Sequence, residues 1–257
     1  MSLLALDNIS VSFGGVAAVR GVTLRVDEGE IRGLIGPNGA GKTSLINSIT
    51  GIVRPGGGVI SFAGHEITTL APDVIATRGV GRTFQHVELF RDATVLDNVL
   101  TGLYRHHVYG IAAAIAGWGR ARRVEDEARR EALALLEAFD LAPLALVPVH
   151  DLPFGIQKRI DLARALAVQP KLLLLDEPIS GMSESEADAA VGMLRDLAEQ
   201  RHITLLIVEH NMRVMMRLAA RITVMHQGEI LAEGPPAAIR ADPAVVEAYL
   251  GEDGGHA

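Results

Sequence analysis

Cysteine is absent from the 257 residues. That excludes a disulfide framework and every zinc site built on thiolates, and it suits a reducing compartment. Cations are in the minority: 24 Lys and Arg face 31 Asp and Glu, a formal charge of −7. Sequence-blind DNA binding needs a surplus of positive charge, so no nucleic-acid partner is expected. Long apolar runs are missing as well. The most lipid-like stretch, IAAAIAGW at 111–118, falls far short of the ~20 residues that span a bilayer. The opening MSLLALDNIS has no basic region ahead of an apolar one, so no signal peptide is expected. There is no internal repeat and no low-complexity tract. What is present is an ordinary globular composition, 49% hydrophobic and 21% charged, in a length that suits one large domain or two small ones. The expectation is a soluble intracellular protein.

The polarity pattern orders the chain. Residues 10–13 and 21–26 alternate around Gly14-Gly15 and before the turn at 27–30, which reads as an N-terminal β region. An apolar run at 31–35 follows. From Lys42, the residues Leu45, Ile46 and Ile49 share a helical face, with Gly51 at its end. Residues 92–140 are mostly helical in character. Arg120, Arg122 and Arg123 are answered at once by Glu125, Asp126 and Glu127, as on a solvated helix laced with charge pairs. Four leucines at 172–175 and the run ITLLIV at 203–208 read as strands buried on both faces, with a helix at 187–199 between them. Strand–helix–strand order of this kind makes an α/β fold with a parallel sheet.

Two motifs carry chemistry. Gly36-Pro37-Asn38-Gly39-Ala40-Gly41-Lys42-Thr43 has the spacing G-x-x-x-x-G-K-[ST] between a strand and a helix. Its glycines let backbone N–H groups turn inward toward phosphate oxygens, and the helix adds its positive end. Lys42 is placed to reach the β- and γ-phosphates, and the Thr43 hydroxyl to ligate Mg²⁺. The ligand class is therefore a nucleoside triphosphate. The second motif ends the leucine strand: Asp176-Glu177-Pro178. Asp176 stands at the C-terminal end of a buried strand, where α/β sheets hold their ligands, and is suited to Mg²⁺. A carboxylate at Glu177 is suited to take a proton from an attacking water.

In that order the motifs resemble the ATPase subunits of ABC transporters, over nearly the whole chain. The resemblance implies a P-loop NTPase (RecA-like) α/β core with an N-terminal antiparallel β region and an inserted α-helical subdomain. Its core is expected at about 1–88 and 166–235, the helical subdomain at about 89–165, and a C-terminal helix and tail at 236–257. It implies ATP and Mg²⁺ as cofactors, with Asn38, Gly39, Ala40, Gly41, Lys42, Thr43 and Ser44 around the phosphates and Phe13 stacked on adenine. Gln85, in Arg82-Thr83-Phe84-Gln85, matches the family's glutamine loop near Mg²⁺ and the attacking water. His210 matches its switch histidine, and Gly228 and Glu229 fit its closing hairpin.

The chain departs from the family twice. The signature, normally Leu-Ser-Gly-Gly-Gln, is here Leu152-Pro153-Phe154-Gly155-Ile156, set in register by Gln157, Arg159 and Ala163-Arg164-Ala165-Leu166. In the family this segment caps the ATP of the opposite subunit. Pro153 offers neither hydroxyl nor N–H, suits the first turn of a helix, and leaves the Gly155 backbone to bind phosphate. The inter-subunit aspartate is also replaced, by Ser183. With the segment 84–99, the insert near 104–130 and the ending 238–251, these departures resemble the cassettes of branched-chain amino-acid importers. Related cassettes import urea or short amides, or export lipopolysaccharide. A DNA- or ribosome-directed ATPase is disfavoured by the single cassette, and a binding-only cassette is set apart by phosphate release.

The resemblance implies a second nucleotide-binding subunit, identical or a sister cassette, transmembrane permease subunits and, indirectly, an external solute-binding protein. It places the chain at the cytoplasmic face of the cell membrane. Val87, Leu89 and Phe90 are apolar in a stretch expected to be a loop; they either pack under the helical subdomain or, as the resemblance implies, line a groove for a short helix of the permease.

Overall fold

The computed structural model describes residues 2–83, 88–103 and 118–253. Gln85, Val87 and most of the insert beyond residue 103 lie outside the described residues. The chain divides into two compact units, Met1–Arg82 with Lys171–Ala257, and Thr83–Pro170. The divisions at 82 and 171 differ from the expected 88 and 166. The reason is local: the short strand β6 (Val80–Arg82) pairs in parallel with β7 (Leu172–Asp176), so the sheet ends at Arg82. The C-terminal helices α8 (Pro236–Ala241) and α9 (Pro243–Asp253) belong to the first unit rather than standing apart.

The first unit has two sheets. In one, β1 (Ser2–Phe13) and β2 (Val16–Asp27) form a hairpin whose outer partners are β4 (Gly57–Phe62) and β5 (His65–Glu66), all antiparallel in the order β2-β1-β4-β5. The hairpin strands are longer than their alternating cores at 10–13 and 21–26 suggested, because pairing extends each to twelve residues. The other sheet runs β10-β9-β3-β8-β7-β6. Here β3 (Ile31–Ile35), β8 (Thr204–Val208) and β9 (Arg221–His226) lie parallel with β6 and β7, and β10 (Glu229–Gly234) turns back antiparallel to β9. Every residue of β7 and β8 is buried, as their unbroken apolar runs require.

Helix α1 (Lys42–Ile49) sits where the two sheets meet. Its Leu45, Ile46 and Ile49 share one core with Leu4, Leu24 and Ile60 of the antiparallel sheet and with Leu172 and Leu206 of the parallel one. Burying side chains of this size stabilises by roughly 1.5–3 kcal/mol each, so the start of α1 is held by the whole unit. Helices α2 (Pro72–Thr77), α6 (Glu184–Arg201) and α7 (Met212–Leu218) complete it.

The second unit is helical, built from α3 (Val95–Leu103), α4 (Trp118–Ala138) and α5 (Phe154–Ala167). Val99 and Leu103 of α3, Leu135 and Leu136 of α4, and Ile160 and Ala163 of α5 are buried where these helices pack together. Arg122 and Arg123 are exposed, as the reading of a solvated helix expected.

Candidate active site

The loop after β3 is shaped by its neighbours. Gly36 has φ +149° and Gly41 φ +98°. A Cβ on Gly36 would strike the Met225 carbonyl oxygen of β9, and one on Gly41 the Ala18 carbonyl oxygen of β2. Only glycine tolerates such backbone geometry at such close approach. The turn after β9 braces the same loop: the Gly228 N–H donates to the Ala40 carbonyl at 3.1 Å, and the Arg20 N–H to the Gly228 carbonyl at 2.8 Å. Thus Gly228, legible in the sequence only as part of a hairpin, fixes the loop. The N-cap residue of α1, Gly41, has no side chain to cap the helix, which suits the first-turn amides, Thr43 and Ser44 among them, to an anion. Lys42 arches back across the curl, its Nζ donating to the Gly36 and Pro37 carbonyls at 2.6 and 2.8 Å. Asn38 and Gly39 are exposed or close to the surface and Ala40 is buried beneath them. A pocket beside the loop is lined by Asn38, Gly39 and Ala40 together with Gln227 of the turn and Glu247 of α9.

Asp176, the last residue of β7, is buried. Burial pushes its carboxyl above the usual carboxylate range, while Arg82 beside it and Lys42 pull the other way. The Arg82 guanidinium donates to Asp176 Oδ2 at 3.3 Å, to Asn47 Oδ1 at 2.6 Å and to Thr50 Oγ1 at 3.3 Å. One side chain therefore ties β6, β7 and α1 around the carboxylate. Sequence reasoning missed Arg82, because nothing in its spacing marks a pairing 94 residues away.

Glu177 has φ +50°, a left-handed conformation that costs a non-glycine residue roughly 1–3 kcal/mol. This turns it out of the line of β7. Its N–H donates to the Val208 carbonyl at 2.9 Å, pinning it to the end of β8. His210 follows two residues later in the chain, and its Nδ1 lies 3.8 Å from Glu177 Oε1. The imidazole is 60% exposed and the carboxylate 21%. The structure thus joins the two residues, 33 positions apart, at the open ends of adjacent parallel strands. Ser183 has a role that the sequence did not reveal. It is the N-cap of α6 in a capping box: its Oγ accepts from the Glu186 N–H, and its own N–H donates to Glu186 Oε2 at 2.8 Å.

Phe13 stands at the hairpin tip with its ring 50% exposed, on the hairpin that braces Gly41 through Ala18. Leu152, Pro153, Phe154 and Gly155 lie in the second unit. Pro153 has φ −56° and ψ 151° and is the N-cap of α5, one position ahead of the first turn where it was expected. Its carbonyl is thereby free to accept the Ile156 and Gln157 N–H groups at 3.0 and 3.1 Å. The Gln157 side chain donates to the Leu152 carbonyl at 2.8 Å and holds the entry to the helix.

The segment ahead of α3 divides between the two readings. Leu89 is only 8% exposed, whereas Phe90 is 60% exposed. Asn98, fully buried, receives the Phe90 N–H at 2.8 Å and donates to the Phe90 carbonyl at 3.0 Å, and Arg164 donates to the Glu88 carbonyl at 2.6 Å. Held this way, the chain turns Leu89 inward and Phe90 outward, so Leu89 does not line a surface groove.

Comparison with known proteins matches these features. The ABC transporter family profile matches residues 19–180, and that of the branched-chain amino acid ATP-binding cassette transporters matches residues 229–255. The chain is 39% identical over 250 residues to the high-affinity branched-chain amino acid transport ATP-binding protein BraF of Pseudomonas aeruginosa, covering 97% of this chain and 98% of that protein. It superimposes with a TM-score of 0.85 and 32% identity on the ADP conformation of an ATP-binding cassette of an ABC transporter, over 98% of this chain and 99% of that one. A dimeric cassette in a post-hydrolysis state, bound to ADP and phosphate, superimposes at 0.77 and 25% identity over 91% of this chain and 98% of that one. With its phosphate loop, its Asp176-Glu177 strand end and its P-loop NTPase fold, the chain belongs to the ABC transporter family, as a nucleotide-binding cassette that hydrolyses ATP to drive transport.

Proposed function

We propose that this cassette powers an importer of branched-chain amino acids. The observation that carries the solute class is the match of residues 229–255 to the C-terminal region of such cassettes, supported by the full-length similarity to BraF. Urea, short amides and lipopolysaccharide are the alternative solutes.

In this reading the ATP phosphates lie in the curl of Gly36 to Ser44, against the first-turn amides of α1 and the Lys42 ammonium. Phe13 stacks on adenine. Water attacks the γ-phosphorus in line, Glu177 accepts its proton, the bond to the bridging oxygen breaks, and ADP leaves with its new charge on that oxygen. His210, 3.8 Å from Glu177, donates a hydrogen bond to the γ-phosphate and orients the base. Mg²⁺ suits the donors present: the Thr43 hydroxyl in the first turn of α1 and the Asp176 carboxylate at the end of β7 are hard oxygen ligands of the kind the ion takes beside phosphate oxygens. Thr43, Asp176 and Gln85 would hold it, and it would neutralise charge on the phosphates.

Two cassettes, identical or sisters, sandwich two ATP molecules, each signature of Leu152, Pro153, Phe154 and Gly155 capping the other's nucleotide. Among the described residues no helix is long and apolar enough to cross a membrane. In the transporter, permease subunits supply the path, with the cassette peripheral on the cytoplasmic face and an external solute-binding protein delivering the solute.

Phe13→Ala is expected to weaken ATP binding about ten- to a hundred-fold, since base–aromatic stacking is worth ~1–3 kcal/mol. Titration with a fluorescent ATP analogue reads this out, and unchanged affinity would limit Phe13 to packing. For the transporter, the test is reconstitution with the neighbouring permease and binding-protein genes. ATP-dependent leucine uptake is expected; uptake of urea or an amide in its place would overturn the solute. In the same system Phe90→Asp is expected to leave ATP binding unchanged and lower permease recovery about ten-fold or more, the cost of losing an aromatic anchor. Full recovery would remove Phe90 from the contact. Leu89→Asp is the wrong probe, because it buries a charge inside the helical unit.

A further inference from the structure

Glu209 lies between Val208, the last residue of β8, and His210, and the hydrolytic chemistry does not use it. It is 1% exposed, the most buried carboxylate among the described residues. Burial pushes its carboxyl above the usual range, opposed by hydrogen bonds from the backbone of Ile179 and Asn211 and by the charge of His210. Its Oε1 accepts the Ile179 N–H at 2.9 Å, and the Asn211 backbone lies beside the same carboxylate. One buried side chain thus bridges the segment after Glu177 to the segment that holds His210.

The surroundings repeat that connection. The Glu177 N–H bonds to the Val208 carbonyl. Ser183 caps α6, and Asn211 caps α7, its Oδ1 accepting the Val214 N–H at 3.2 Å. Across the two helices Arg213 pairs with Glu184 at 2.7 Å, and Arg217 pairs with Asp188. Those ion pairs are exposed and contribute little. The buried carboxylate on the Ile179 N–H is the strong member, because charge-assisted hydrogen bonds away from water are about twice as strong as neutral ones.

We propose that Glu209 is a positioning residue that locks the segment 177–183 and His210 into one body, and so sets the 3.8 Å approach of His210 to Glu177. The inference rests on the roles given above to Glu177 and His210.

Glu209→Gln keeps the volume but removes the charge that the Ile179 N–H meets, and leaves an NH₂ group without a carboxylate's accepting capacity in the same buried space. It is expected to lower kcat for ATP about ten-fold or more, with KM and affinity for a fluorescent ATP analogue nearly unchanged and the melting temperature lowered by a few degrees. Because Glu209 acts through His210, adding Glu209→Gln to His210→Ala is expected to cost nothing further. Unchanged kcat in Glu209→Gln, or losses that simply multiply in the double variant, would overturn the proposal. Normal turnover in His210→Ala or Glu177→Gln would instead overturn the reading of the site. In the unaltered protein, hydrogen exchange adds a measurement free of any folding defect. The amide of Ile179 is expected to exchange slowly; exchange at the rate of open loop amides would also sink the lock.

Discussion

With Glu177 replaced by glutamine, steady-state ATP hydrolysis is expected to fall by about 10²–10⁴-fold, the usual contribution of a positioned general base. The amide keeps the shape of the side chain but cannot take a proton from water. The backbone that places residue 177 is unaffected: its left-handed φ of +50° and its bond to the Val208 carbonyl belong to the main chain. Nucleotide affinity is therefore expected to survive. ATP is expected to accumulate between paired cassettes, so that a dimer elutes from gel filtration with ATP and not with ADP. Phosphate release gives the rate directly, and near-normal release by Glu177→Gln would remove this residue as the base.

Lys42→Ala is expected to fail at the earlier step. Its ammonium lies in the curl of the loop, 2.6 and 2.8 Å from two of the loop's own carbonyl oxygens, where it would meet the β- and γ-phosphates. A hydrogen bond to a charged group is worth about 1.5–3 kcal/mol, so ATP affinity is expected to drop by ~10–150-fold. The loop itself is held by Gly36, Gly41 and the Gly228 brace rather than by the lysine. Circular dichroism and melting without nucleotide are thus expected to change little. Calorimetric titration with ATP separates the outcomes: unchanged affinity would mean that Lys42 serves only to close the loop. The two variants differ in kind, one losing rate with binding retained and the other losing binding itself.

Much of the site was legible from local pattern. The phosphate loop announces itself because a backbone curling around phosphate needs glycine at fixed intervals, with a lysine and a hydroxyl just inside a helix. The strand end at Asp176-Glu177 shows because a strand buried on both faces cannot avoid an unbroken apolar run, and the first charged residues after it mark the edge of the sheet. Each of these signals is contained within about ten residues and depends on no distant partner.

Where partners come from afar, the sequence was silent. Arg82 meets Asp176 and Asn47, and Glu209 meets Ile179, only because β6, β7 and β8 are neighbours in the sheet and α1 packs beside them. Ser183 looked like the loss of an inter-subunit charge; in the fold it is the cap that starts α6. The inward turn of Leu89 and the outward turn of Phe90 follow from Asn98, eight positions beyond Phe90. The chain thus determined on its own that it is an α/β protein with a nucleotide loop and a carboxylate pair, since those features arise from backbone conformation and hydrophobic period. Tertiary structure alone decided which buried charges hold that pair in place, because a hydrogen bond between distant residues leaves no periodic trace in the sequence.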